Sequence, residues 1–326
     1  MHEVRLAGCQ SIPLASYLKA LGVLRLVAEQ ADRAAQGFWA TDAFVLRSKL
    51  EADELVAFFI ERYSPTPIVA PWNGGSGFFP KDNTAGIDAI VGDTSPRFSA
   101  YRLVISECRG ALVRLGLAEK PEKEIKTTLL SELRSTLPDS GLQWLDAAVV
   151  LSEAGPQYPP LLGTGGNDGR LDFTNNQMQR LAELLLTDVG GSVAQLRSSL
   201  FGDPVPGLSK GSAIGQFSPA AAGGPNTGAG FDRDALVNPW DYVLMLEGAL
   251  LFATAMTRRE EATTQGSPVF PFFVRASGAG YASAARADEE GSRNEMWLPL
   301  WSRPAGAAEL GALFAEGRAK VNGRTA

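Results

Sequence analysis

Between Asn238 and Met256 the chain reads "NPWDYVLMLEGALLFATAM". Its only charges are Asp241 near the start and Glu247 in the middle, and apolar residues surround Glu247 on nearly every side. A helix that is apolar all round has no face to give to water. The run from Val243 to Met256 is about 14 residues, too short to span a bilayer. The stretch therefore predicts a helix enclosed by other elements of a protein core. Asn238 can cap it, Pro239 suits its first position, and Asp241 sits at the third, a start like a capping box. Glu247 then either reaches the solvent edge or pairs with a buried arginine.

The rest of the chain supplies partners for such a helix. "PLASYLKALGVLRLVAEQADRAA" from Pro13 repeats Leu14, Leu18, Leu21, Val27 and Ala28 at helical spacing. "FVLRS", Phe44 to Ser48, reads as a short strand, and "EADELVAFFIERY" from Glu51 as a second helix. Further helices are expected over 97–117, 122–137, 142–154 and 307–320, and from about Thr174 and Ser192. "PVFPFFVRAS", Pro268 to Ser277, reads as a strand. The expected class is mainly α with a few short β-strands (α+β), irregular and with long Gly-rich loops. The regular strand–helix alternation of a doubly wound fold is missing. Residues 202–237 are rich in Gly, Pro, Ala and Ser with little periodicity, and a loop that long is usually functional or disordered. An internal boundary is expected near 155–170.

Composition narrows the function classes. The chain has 326 residues and a formal net charge of −6, so it does not coat nucleic acid electrostatically by itself. Two cysteines, Cys9 and Cys108, and a single histidine, His2, leave no Cys/His cluster of zinc-site spacing. Two cysteines in so long a chain suggest free thiols and a reducing compartment. Cys108, in mid-helix, is expected in the core. The N-terminus has no apolar signal run. A cytoplasmic protein with no membrane contact is expected.

"PWNGGSGFFPKDN", Pro71 to Asn83, sets four turn-forming residues between a tryptophan and a Phe-Phe pair. Two readings compete: a tight turn whose aromatics sit in a core, or a nest of backbone N–H groups for an anion, with Lys81 adding charge and Trp72 a stacking face. Nucleotide templates fit poorly. A P-loop would place Pro80 at its second glycine and Asp82 at its Ser/Thr. "GTGGNDGR", Gly163 to Arg170, has Asp168 at the last glycine of a G-x-G-x-x-G pattern, where a carboxylate repels pyrophosphate. "GGSGF" lacks the final glycine of a nucleophile elbow. Asp82, Asp168 and Asp172 could hold Mg²⁺, or simply close turns and start a helix. No catalytic residue, metal or cofactor is expected from these residues.

Taken together, "LASYLKALGVLRLVAEQ", "PTPIVAPWNGGSGFFPKDN", "LLGTGGNDGRLDFTNNQ", "GQFSPAAAGGPN" and "NPWDYVLMLEGALLFA" resemble the large subunit of type I-G (formerly I-U) CRISPR surveillance complexes, over essentially the whole chain. Members of that family are considerably longer, so the resemblance implies an N-terminal portion. It also implies a non-catalytic role beside a guide RNA, with backbone and guide-processing subunits as neighbours. There the subunit helps read the motif flanking the target in duplex DNA and helps recruit a helicase–nuclease. Base pairing then reads sequence, while protein reads a short duplex motif and backbone shape.

On that reading, the candidates for nucleic-acid contact are Trp72, Asn73, Lys81, Asn167, Arg170, Asn175, Asn176, Gln216 and Asn226. Amides can bond base edges, cations can neutralise phosphates, and aromatics can wedge between bases. Each has a structural alternative. Asn73 and Asn167 suit glycine turns, Asn175 and Asn176 can start a helix, and Trp72, Phe78 and Phe79 suit a core. The competing function is a phosphate- or nucleotide-handling enzyme built on the Gly-rich loops.

Overall fold

The computed structural model describes residues 1–152, 155–159, 161–162, 173–205, 208–212, 217–218, 235–253, 255–257, 267–275, 294–317, 320–321 and 324–325. The chain opens with β1 (His2–Gln10), α1 (Leu14–Gln30), β2 (Gln36–Ala40) and β3 (Ala43–Ser48). Helices follow: α2 (Ala52–Ala57), continued by a π turn over Phe58–Arg62, then α3 (Ala85–Gly92), α4 (Ser99–Arg114), α5 (Lys123–Thr136) and α6 (Asp139–Ala148). The short pair β4 (Val150–Ser152) and β5 (Gly155–Gln157) precedes α7 (Phe173–Ala182) and α8 (Val189–Phe201). Next come β6 (Ser209–Ser212), β7 (Ala235–Val237) and α9 (Pro239–Ala249). Seven short strands and one more helix follow: β8 (Ala255–Thr257), β9 (Ser267–Val269), β10 (Phe273–Arg275), β11 (Asn294–Met296), β12 (Ala305–Gly306), α10 (Ala307–Glu316), β13 (Lys320–Val321) and β14 (Arg324–Thr325). The class is α+β, dominated by helices, as composition and periodicity lead one to expect.

The apolar stretch that opened the sequence is α9. Every residue of it except Asp241 is buried. Asn238 caps it, its side chain accepting the N–H of Trp240, and Pro239 stands at the first position. Its main neighbour is α1, buried without a break from Tyr17 to Ala28. The two helices touch backbone to backbone. A Cβ placed on Gly22 would lie 2.1 Å from the carbonyl oxygen of Leu244, and one on Gly248 would lie 1.8 Å from that of Leu18. Only residues without side chains allow that approach.

A four-stranded antiparallel sheet, in the order β1-β3-β2-β12, covers the other side of α1. Leu6 pairs with Phe44, and Trp39 with Phe44, so apolar residues face the helix. The ring of Tyr17 stacks on Trp39 at 5.2 Å, and Trp301 meets both Trp39 and Phe44 edge-on. Strand β12 joins the sheet beside β2, bringing residues past 300 against the first fifty.

Several local expectations need correction. β1 and β2 were not anticipated, nor was α3. The helix expected over 142–154 spans Asp139–Ala148; Val149 is extended and β4 follows. The strand expected over 268–277 is two strands with different partners, β9 pairing β8 and β10 pairing β11. Phe272, at a φ of 61°, bends the chain between them. The helix expected over 307–320 stops at Glu316, because Gly317 is left-handed (φ 37°) and ends it. Helix α8 starts earlier than Ser192, capped by Asp188, whose carboxylate accepts the N–H of Gly191. Among the described residues, no helix is long and apolar enough to cross a membrane.

Candidate nucleic-acid interface

The loop from Trp72 to Asn83 is organised from inside. Asp82 turns its carboxylate back into the loop and accepts the N–H groups of Gly75 (2.8 Å), Gly77 (3.0 Å) and Phe79 (3.2 Å). The hydroxyl of Ser76 sits beside the same carboxylate at 3.5 Å. Gly75 and Gly77 hold φ of 79° and 89°, which is how successive N–H groups come to point at one anion. The glycines thus form a nest, as one of the two sequence readings requires. Its anion is the protein's own Asp82.

The other reading holds for the aromatics. Trp72 is only 2% exposed and Phe79 is also buried, while Phe78 packs partly buried against the core. Trp72 presents no ring to solvent. Lys81 is exposed at the tip. Asn73 is half-buried, and its Oδ1 accepts from Lys126 Nζ at 3.2 Å.

Helix α7 clamps the loop from below. Asn175, buried, donates through Nδ2 to the carbonyls of Gly75 (2.7 Å) and Asn83 (2.9 Å). Its Oδ1 accepts from Gln179. Gly86 on α3 lies against the backbone of α7, where an added Cβ would come within 2.7 Å of Gln179 N. Asn175 is therefore a positioning residue inside the fold. Asn176, next to it, is half-buried. The other candidates, Asn167, Arg170, Gln216 and Asn226, lie outside the described residues, as do Asp168 and Asp172.

The described flanks of the Gly-rich segments nevertheless meet around α7. Phe217, next to Gln216 in sequence, packs edge-on against Phe173 at 5.5 Å. The Tyr242 hydroxyl of α9 points to the carbonyl of Phe173. Tyr158 lies under Lys126, whose Nζ is 5.6 Å from the ring centroid.

The start of the loop is tied to the core by a buried ionic network. Glu247 is fully buried and takes Arg25 Nη1 on Oε2 at 2.7 Å. Its carboxylate also accepts the Tyr63 hydroxyl (2.6 Å), the Thr66 N–H (2.9 Å) and the Thr66 hydroxyl (2.7 Å). Arg25 in turn reaches Thr66, Gln143 and Glu29. Of the two fates open to Glu247, the buried arginine is the one observed. Burial, then Glu247, holds the Tyr63 hydroxyl far above its usual range, so it stays a donor. The effect is to pin Tyr63 to Thr66, and with them the strand-like run leading to Trp72, onto α1 and α9.

A second network joins α1, α8 and α9. Lys19, buried, donates to the Ser199 carbonyl and to Asp241 Oδ1, both at 2.6 Å. Ser199 donates its hydroxyl to the same oxygen. Burial pulls the Lys19 ammonium down, and Asp241 together with Cys9 more than offsets it, so the net shift is upward. Asp241, which looked like half of a capping box, is spent on this ion pair.

Sequence reasoning missed the cations around Asn73. Lys120 lays its stem over Gly74, its Cδ 3.1 Å from where a Cβ would be. Lys126 is pulled down by burial and then by the nearby Lys120. A signal was present: "KPEKEIK" puts lysines at 120, 123 and 126 around the start of a helix, where the macrodipole favours acids. Among the described residues, no group of three His, Cys, Asp or Glu side chains is placed to hold a metal ion. No protein-family model matches the chain, and no curated protein matches it.

Proposed function

We propose that this chain is a non-catalytic large subunit of a CRISPR RNA-guided interference complex, working in the cytoplasm. In that role it helps read the motif flanking the target in duplex DNA and helps recruit the helicase–nuclease, beside guide RNA, backbone subunits and guide-processing subunits. The resemblance of its five motifs to type I-G large subunits is the origin of the reading. The observation that supports it best is the convergence on α7. Asn175 holds the Trp72–Asn83 loop, and Phe173 meets Phe217, so segments far apart in sequence are gathered on one helix. A loop tied down by such contacts loses less of its contact energy to ordering when it binds.

The loop's own chemistry favours binding over phosphate handling. An enzyme that cradled phosphates on the Gly75–Phe79 N–H groups would first have to evict Asp82 from them. Lys81 and the Asn73 region remain at the surface for a partner.

Co-expression with backbone subunits, guide-processing subunit and guide RNA tests the assignment. Stoichiometric co-purification through the tagged backbone subunit is expected. A chain that elutes alone, or that by itself hydrolyses nucleotides or cuts DNA with Mg²⁺, contradicts it.

A further inference from the structure

Lys126 has no carboxylate partner among the described residues, although it is half-buried. Its Nζ donates to Asn73 Oδ1 at 3.2 Å and sits over the Tyr158 ring. Lys120 lies close by, with its stem on Gly74. Glu119, Glu122 and Glu124 occur on the same stretch, but all three are exposed and none forms an ion pair with either lysine. The Tyr158 hydroxyl is buried without a hydrogen-bond partner among the described residues.

The two ammonium groups and the Asn73 amide nitrogen offer hydrogens, and the Tyr158 hydroxyl can donate or accept. Two like charges with no ion-paired carboxylate among the described residues cost free energy that an anion relieves. Burial and the neighbouring lysine lower the Lys126 pKa, in keeping with that unrelieved repulsion.

We infer that Lys120, Lys126 and Asn73, above the ring of Tyr158, form a subsite for a phosphodiester group of a nucleic-acid backbone. This deepens the proposed function and rests on it. It also moves the main phosphate contact of the region from Lys81 to the Lys120–Lys126 pair. The Tyr158 face is covered by Lys126, so the subsite takes a phosphate and not a stacked base. Such a contact carries no sequence information and fixes register only.

The test uses the whole chain with its lysines ¹³C-dimethylated, which preserves their charge, and the signals assigned with Lys120→Arg and Lys126→Arg. The probes are inorganic phosphate and a short oligothymidylate. The Lys126 and Lys120 signals are expected to shift saturably with the oligonucleotide and to titrate to higher pH in its presence. Lys126→Gln is expected to lower the salt slope of oligonucleotide binding by about 0.7, as for one lost phosphate contact on a single strand. Lys81→Gln, well folded, serves as the comparison. An oligonucleotide that shifts other lysines but neither of these, with an unchanged slope in Lys126→Gln, overturns the subsite and leaves nucleic-acid binding standing. Shifts with inorganic phosphate alone also overturn it, because the site then takes free anions and not a backbone. If no lysine responds to either probe, the subsite fails, while co-purification with the complex still decides the assignment separately.

Discussion

Asp82 Oδ1 accepts the N–H of Gly75 at 2.8 Å, across seven residues of chain. With Gly77 and Phe79 on Oδ2, one carboxylate satisfies three loop amides that face away from any strand or helix. Asp82→Ala is expected to cost about 2 kcal/mol, in the range of hydrogen bonds to a charged group. The specific readout is amide exchange. Protection of Gly75, Gly77 and Phe79 should collapse while that of α9 stays. Equal loss everywhere would mean that the carboxylate stabilises the whole fold and not the loop.

Glu247 and Arg25 sit in the core, where breaking a pair is costlier than replacing it. Glu247→Ala leaves a buried guanidinium without its main partner and should cost roughly 3–5 kcal/mol. Arg25→Met combined with Glu247→Leu should lose clearly less than the sum of the two single changes. Denaturant melts of the four proteins give the coupling. Additive losses would show that the two side chains act independently.

The helix contact between α1 and α9 predicts opposite signs for glycine substitutions. Gly22→Ala and Gly248→Ala drive a methyl into a backbone carbonyl and should each destabilise by about 1–3 kcal/mol. Gly311→Ala, inside α10 with nothing within 4 Å of its new methyl, should stabilise by up to about 1 kcal/mol. Thermal melts of the three variants suffice. A neutral Gly248→Ala would refute the close approach.

Cys9 and Cys108 are buried free thiols, and burial pushes Cys9 from 9.0 up to about 11 and Cys108 higher still. Near pH 8 the native protein should react with a thiol reagent only as fast as it opens. The sign for stability follows from the raised value. The contribution of the neutral Cys9 thiol is complete below about pH 9 and lost as pH climbs through about 11. Chemical denaturation between pH 8 and 11 should therefore show falling stability, reduced in Cys9→Ala. Rapid labelling of the native protein at pH 8 would contradict the burial.

The sequence is most readable where one physical signal dominates. Helix α9 is legible because apolar residues surround it and Asn238-Pro239 marks its start. Helix α1 follows from its periodicity. β1 alternates Val4 and Leu6 with Glu3 and Arg5, but its edge position leaves the alternation short and bulged near Gln10. The loop was legible in kind: glycines with positive φ, aromatics inward. That Asp82 is its anion, Asn175 its clamp and Lys126 its neighbour depends on contacts across 7, 100 and 53 positions. No local pattern encodes such distances. Asp241 shows the converse, since its position fits a capping box and tertiary contact with Lys19 claims it instead.

As proposed above, this chain adds recognition of the flanking motif to a guide-RNA complex without chemistry of its own. The direct measurement compares target-duplex binding by the complex reconstituted with and without the chain, using matched and mismatched flanking motifs across a salt series. With the chain, the matched motif should bind more tightly by about 1–3 kcal/mol per base contact. Without it that preference should vanish. Equal discrimination by both complexes would contradict the claim.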